Sequence, residues 1–392
     1  MRIAWVVTGG FDESGREQVI PALLWLVERL ARRHDVAVYV LRYYQTPRRY
    51  RLLGATVHDM GRPRGIVNQW RAVSAAMIAD GPFDVVHGYW AMPAGLVASA
   101  VGRRLGVPAI VTCDSGEFVA CPDIGYGLQS HWRGRIAVAA ATRLATRVTV
   151  CSTYQCELAR AHGLNPDVIP LGVDTQLFTT GAVLPDGPPF RLRDGPPFRL
   201  LCVASLNPVK DHATLLRAVQ VLASAGFDLQ VDIIGEDTMS GSVASQARAL
   251  GVDDRVIFHG FRSSADLLPL YHRAHLFVLP SRHEAAGVVL LEAATCGVPV
   301  VGSSVGYLAD WSPDAATGVE PGNPQALARA IEALLLNPVR RHAQAAAAAR
   351  WARQHDADWT ASAFEALYHE VLASPHHVAR DGSRVRSRTP GS

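Results

Sequence analysis

The sequence predicts an α/β protein made of two doubly wound, Rossmann-like domains. Three observations carry that expectation. The chain has 392 residues, about two domains' worth at 100–200 residues each. Short apolar strand-like runs alternate with helical patterns, and the series runs twice. Between the two series, residues 186–192 (Asp-Gly-Pro-Pro-Phe-Arg-Leu) recur at 194–200, a Gly/Pro-rich tandem repeat of linker character.

In the first series, strands are expected at Ile3–Thr8, Val36–Leu41, Val85–His87, Ala109–Thr112, Val148–Cys151 and Val168–Pro170. Leu23, Leu26, Val27 and Leu30 mark one face of a helix, with Pro21 in its first turn, where a missing N–H costs nothing. A second helix near Ala94–Leu105 stops at Gly106. The second series gives strands at Leu200–Ala204, Leu229–Ile234, Val256–His259, Leu276–Leu279 and Val298–Val301, with helices near His212–Ala225, Ala265–His272 and Gly287–Cys296. Strands so short and apolar suit parallel sheets covered on both faces. The expected boundaries are an N-terminal domain 1–178, a linker 179–199, a second domain 200–355, a helix 356–374 that crosses back to the first domain, and a disordered basic tail 375–392. Trp359, Phe364, Leu367, Tyr368 and Leu372 form the stripe of that helix.

Composition narrows the function classes. Apolar residues make up 49%, enough for real cores, and no run is long enough for a spanning helix. The start lacks a signal-peptide cleavage site. Six cysteines at irregular positions show no zinc or disulfide spacing and read as free thiols in a cytoplasmic protein. Net charge is +5 over residues 1–180, −5 over 181–375 and +3 over the tail. Such a modest excess with no recognition motif argues against nucleic acid. The basic half is either ordinary surface charge or a face for anionic partners. Within it, Arg42, Arg48, Arg49, Arg51, Arg62 and Arg64 form a Tyr-containing basic stretch, a candidate peripheral contact with a membrane that holds a lipid-linked acceptor.

Lys210 is the only lysine among 38 cationic residues. A lysine kept against that bias suits a position needing a compact ammonium on a flexible stem; chance survival is the alternative. It closes a loop, Ser205-Leu206-Asn207-Pro208-Val209-Lys210, between a strand and a helix, where an anion can meet backbone N–H groups. A second loop, Pro280 to Glu292, carries Glu284, Gly287 and Glu292. A carboxylate accepts paired hydrogen bonds from vicinal hydroxyls, as on a sugar. Two glutamates eight apart are equally compatible with a solvated pair.

These residues in this order resemble the retaining glycosyltransferases of the two-domain GT-B fold, the family 4-like group that includes bacterial group 1 sugar transferases and sucrose synthases. The resemblance rests on Lys210, on Glu284 and Glu292 with seven residues between, and on Cys296-Gly297-Val298-Pro299. The first half adds Gly9-Gly10, Asp84-Val85-Val86-His87, Val168-Ile169-Pro170-Leu171-Gly172-Val173-Asp174 and, later, Gly235-Glu236. It spans roughly residues 1–373. It implies two domains facing across a cleft and a nucleotide-sugar donor (UDP-, GDP- or ADP-linked). It also implies a glycan, lipid-linked or small-molecule acceptor, no cofactor and no metal, with a place in cell-surface polysaccharide or glycolipid synthesis.

It also implies roles. Lys210 holds the donor diphosphate with the amides of Gly287, Val288 and Val289. Glu292 takes the ribose, Glu284 the transferred sugar, and Gly235 and Glu236 lie near the base. Gly9 and Gly10 face the leaving phosphate, and Ser205 and Asn207 belong to the donor loop. Three departures stand out. Ser205 occupies the place of an arginine, for which Arg262 or Arg282 is a candidate substitute. Ala285 replaces a glycine. Asp114 stands where the family often has histidine, and either orients a hydroxyl or caps a turn. Asp114, Lys210 and Glu284 are the catalytic candidates. His87, Asp114 and Glu117 are the acceptor-side candidates, with a structural role for His87 as the other reading. Two further classes fit less of the pattern: a non-catalytic sugar-nucleotide-binding protein and an epimerase of the same fold. Gly9-Gly10 lacks the spacing of a dinucleotide-binding fingerprint.

Overall fold

The computed structural model describes residues 1–181 and 197–374. Most of the expected linker repeat and the whole of the basic tail lie outside the described residues.

Two sheets form. The first has β1 (Arg2–Val7), β2 (Asp35–Val40), β3 (Arg48–Leu52), β4 (Ala55–Asp59), β5 (Val85–Tyr89), β6 (Ala109–Cys113), β7 (Arg147–Val150) and β8 (Asp167–Val168), in the order β3-β4-β2-β1-β5-β6-β7-β8. The second has β9 (Phe198–Val203), β10 (Leu229–Ile234), β11 (Val256–Phe258), β12 (Leu276–Leu279), β13 (Val300–Ser303) and β14 (Thr317–Val319), in the order β11-β10-β9-β12-β13-β14. Every pairing is parallel except β3–β4. The central strands are buried along nearly their whole length, as a sheet covered by helices on both faces requires.

Strand order reverses once in each sheet, between β1 and β5 and between β9 and β12. In open α/β sheets, the crevice beyond the carboxyl ends of the strands at such a reversal is where ligands bind. The first crevice is therefore edged by Gly9-Gly10 after β1 and Trp90 after β5. The second is edged by the Ser205–Lys210 loop after β9 and the Pro280–Glu284 loop after β12.

The β3–β4 hairpin was not foreseen from sequence. In β3 only Tyr50 is buried, so the strand lacks the alternating apolar signal. Its turn is made by Leu53 and Gly54, both at positive φ (48° and 85°), a two-residue hairpin turn. The hairpin occupies part of the basic stretch. Arg51 donates to Thr56 Oγ1 (2.8 Å) and the Gly54 carbonyl (2.7 Å), Arg62 donates to the Tyr43 carbonyl (2.8 Å), and Arg48 stacks on Tyr44.

The last helix, Ala357–Ala373, packs on the first sheet's side of the molecule. Thr360 receives the Gly172 amide (2.9 Å) and donates to the Pro170 carbonyl (2.8 Å), and Glu365 pairs with Arg33 (2.7 Å) and His34 (3.0 Å). Buried Arg29 joins Asp174 (3.2 Å) to Asp358 (3.0 Å). The buried stripe is Thr360, Phe364, Leu367, Tyr368 and Val371; Trp359 is exposed, so the expected stripe was in part out of register. The six cysteines are free thiols.

Candidate active site

The crevice of the second sheet opens into a cavity of about 700 Å³, walled by Ser205, Lys210, Gly235, Glu236, Arg262, Glu284 and the Gly287–Val289 turn, with Asp114 entering from the first domain. Lys210 is set by a single 3-10 turn, Pro208–Lys210. Asn207 starts that turn, its Oδ1 accepting the Lys210 amide (3.2 Å). Asp211, at φ 45°, ends it and caps the next helix by accepting from Thr214. Across the crevice, Lys210 Nζ donates to Glu284 Oε1 at 2.5 Å, and Ser281 Oγ donates to the same oxygen at 2.6 Å. The only lysine and the first of the two glutamates thus meet, although 74 residues separate them.

Two glycines are dictated by backbone geometry. Gly287 sits at φ +86°, which disfavours any side chain, and the helix begins only at Val289 rather than at Gly287 as expected. At Gly235, a Cβ would collide with the Ala204 carbonyl, so the backbone of β10 could not leave the sheet where it does.

Several expected residues are placed differently. Glu292 does not form part of the wall. It is one turn inside the helix, 4% exposed, and accepts a hydrogen bond from Tyr271 Oη (2.7 Å). Burial outweighs that bond and pushes its carboxyl up to about 7. Asn207 is a cap rather than a wall residue. Of the two substitutes for the arginine absent at 205, Arg262 lines the cavity, while Arg282 pairs with Asp123 (2.9 Å). Gly9 and Gly10 line a different cavity.

That second cavity, about 690 Å³, lies at the crevice of the first sheet. Its walls include Gly9, Gly10, Trp90, Glu117, Tyr126 and His131; Gln18 borders both cavities. Glu117 is buried and accepts from the Ala91 (3.1 Å) and Ser115 (2.7 Å) amides. Burial raises its pKa against those bonds. Asp114 stands at the junction, near Tyr89 Oη (3.4 Å). Burial raises it to about 7, the nearby Glu117 and Glu284 carboxylates add to the rise, and bonds from Cys151 and Tyr89 oppose it.

His87 is the clear correction. It is fully buried, its ring between Thr112 Oγ1 (2.7 Å) and Tyr368 Oη (2.8 Å) and packed on Trp5 and Phe364. Burial lowers its pKa to about 3, so it stays neutral. It ties β5 to the last helix and lines neither of the two cavities. Gln18, Trp90 and Tyr126 went unassigned in the sequence. Only Trp90, immediately after a strand that ends at the reversal point, carried a usable signal.

Bonds across the cleft hold the two crevices together. His283 Nε2 lies 3.1 Å from the Ser115 carbonyl. Asp310 accepts the Thr153 and Tyr154 amides at 2.8 Å each, capping a helix of the other domain. Tyr307 Oη brackets the Leu171 backbone, and Ser152 donates to the Ala285 carbonyl.

Two doubly wound domains with facing crevices define the GT-B class. Sequence comparison agrees. Residues 189–351 match the description "Glycosyl transferases group 1", and residues 19–172 match "Glycosyl transferase 4-like domain". A D-inositol 3-phosphate glycosyltransferase of Frankia alni is 31% identical over 76% of this chain and 77% of its own length. One of Acidothermus cellulolyticus is 31% identical over 79% and 72%. Among solved structures, the sucrose-phosphate synthase of Thermosynechococcus elongatus aligns with TM-score 0.76 at 20% identity, over 95% of this chain and 100% of that one. Anabaena HepE in complex with UDP and glucose aligns with TM-score 0.73 at 20% identity, over 94% and 100%. The chain belongs to the group 1, family 4-like glycosyltransferases and is a glycosyltransferase of GT-B fold.

Proposed function

We propose that the chain moves a sugar from a nucleotide-sugar donor to a small sugar or polyol, with retention of anomeric configuration. The observation that carries this is the meeting of Lys210 and Glu284 at the carboxyl ends of β9 and β12, in a cavity that Asp114 closes from the other domain. The curated relatives are named for a small-molecule acceptor, and this favours that arm over polysaccharide or glycolipid synthesis.

In this reading, the bond between the anomeric carbon and the diphosphate oxygen breaks, and its electron pair leaves with the diphosphate. Lys210, Arg262 and the amides of Gly287–Val289 neutralise the growing negative charge. Glu284 holds hydroxyls of the transferred sugar. The acceptor oxygen attacks the same face, and its proton passes to the departing phosphate oxygen. Asp114 orients the acceptor hydroxyl. Glu292 supports the ribose end of the site from within the helix and takes the ribose once Tyr271 yields it.

Calorimetry with UDP, GDP and ADP tests the donor class, with Glu292→Ala as control, and NMR of the product reads its anomeric configuration. One diphosphate bound clearly better, and weakened by the mutation, fixes the donor. If none binds, Ser205 has disabled the site and the non-catalytic reading takes its place. For contact with an anionic membrane, all six arginines of the basic stretch are exposed; no helix among the described residues is long and apolar enough to cross one. Failure to sediment with anionic vesicles at low salt would remove that contact.

A further inference from the structure

The first-domain cavity has a chemistry of its own. Among the described residues that line it, none is Arg or Lys. The ring of His131 has Nδ1 occupied as the acceptor of the Gly134 amide (3.0 Å), a bond that caps the helix Trp132–Leu144. Its carboxylate, Glu117, is buried, with each oxygen bound to a backbone amide, and so presents no donor to an anion.

What the wall does present is neutral and partly aromatic. Trp90 and Tyr126 supply its aromatic side chains. Ser115 Oγ and Tyr126 Oη, 3.4 Å apart, and Gln18 supply neutral hydrogen-bonding groups. Trp90 is held at φ +68°, a conformation costly for a residue with a side chain, by its amide on the Thr112 carbonyl (2.8 Å) and its carbonyl on the Gly95 amide (2.8 Å). Strain kept at a cavity wall points to a ring placed for a ligand.

We infer that this cavity takes an uncharged sugar or polyol, stacked on Trp90 and Tyr126, and rejects the phosphorylated form of the same compound. The inference rests on the transferase reading above and narrows it. It also separates this chain from relatives named for a phosphorylated acceptor. A phosphate in this cavity would lose its water without gaining a cationic partner and would lie beside a buried carboxylate.

The test is product formation on matched pairs: glucose and glucose 6-phosphate, N-acetylglucosamine and its 6-phosphate, inositol and D-inositol 3-phosphate. UDP-glucose, UDP-N-acetylglucosamine, GDP-mannose and ADP-glucose serve as donors. The neutral member of at least one pair is expected to be used about 100-fold better in kcat/KM than its phosphate. Equal or better use of a phosphorylated member overturns the inference, as does rejection of every neutral member by a protein that still binds nucleotide in calorimetry. Absence of nucleotide binding overturns the transferase reading itself, and the inference with it. Met92→Lys puts a cation on the wall and is expected to shift the ratio toward the phosphorylated member about tenfold; an unchanged ratio overturns the placement of the acceptor in this cavity. Trp90→Ala is expected to raise KM for the neutral acceptor about tenfold with the nucleotide Kd unchanged, and Trp90→Phe to restore it.

Discussion

The two crevices have nearly the same volume, about 700 and 690 Å³, and lie at equivalent reversal points of two similar sheets. They differ in charge. The second-domain crevice brings Lys210 and Arg262 to its wall beside the carboxylates of Glu17, Asp114, Glu236 and Glu284, whereas the first-domain wall carries no lysine or arginine among the described residues. Topology fixes where each cavity opens. Side chains on the loops decide whether it receives an anion or a neutral molecule.

The sharpest way to break this contrast is to remove the charge. Lys210→Ala is expected to lower kcat/KM by about 1000-fold in a labelled-sugar transfer assay, because losing a preorganised donor to developing negative charge costs about that much. It also leaves Glu284 without its partner at 2.5 Å. A loss under tenfold would mean that the second crevice does not handle the diphosphate.

Asp114, at the junction, tests how the two cavities cooperate. Its carboxyl, raised to about 7 by burial, loses its proton as pH climbs through neutrality. As an acceptor of the substrate hydroxyl it works ionised, so kcat/KM should rise through about pH 7. Asp114→Asn should flatten that limb and cost about 100-fold. Stability carries the opposite sign. A carboxyl with a raised folded-state pKa contributes fully below the unfolded value of 3.8, and that contribution fades as pH rises toward 7. The variant should therefore lose less stability than the parent between pH 5 and 8, read as Tm. Glu292, also raised to about 7, obeys the same sign, and Glu292→Gln separates the two.

A smaller effect probes the donor side. Glu292→Gln is expected to weaken the preferred nucleoside diphosphate about tenfold by calorimetry, and Tyr271→Phe, which frees the carboxylate for the ribose, to leave it unchanged or slightly tighter. Equal losses would make Glu292 purely a packing residue. The smallest catalytic effect belongs to His87. His87→Leu leaves Thr112 and Tyr368 without their shared partner and should cost about 2 kcal/mol of stability, with kcat and KM unchanged.

The sequence by itself determined the two doubly wound domains, because apolar runs of strand length alternating with helical periodicity have few other solutions. It also determined the loops at the ends of β9 and β12, because Lys210 stood alone among arginines and Glu284, Gly287 and Glu292 kept a recognisable spacing. The hairpin Arg48–Leu52/Ala55–Asp59 escaped it, since an exposed edge strand needs no apolar alternation. The fate of His87, Glu292 and Asn207 escaped it as well. A polar residue near a strand end or helix start reads the same whether it faces a ligand, a buried tyrosine or the backbone it caps. Only the tertiary structure decided that His87 would lie under Tyr368, that Tyr271 would claim Glu292, and that Gly9 and Gly10 would open on a cavity without lysine or arginine among the described residues. Each of those outcomes depends on which distant segment arrives at the other side, and local sequence does not encode its own neighbours.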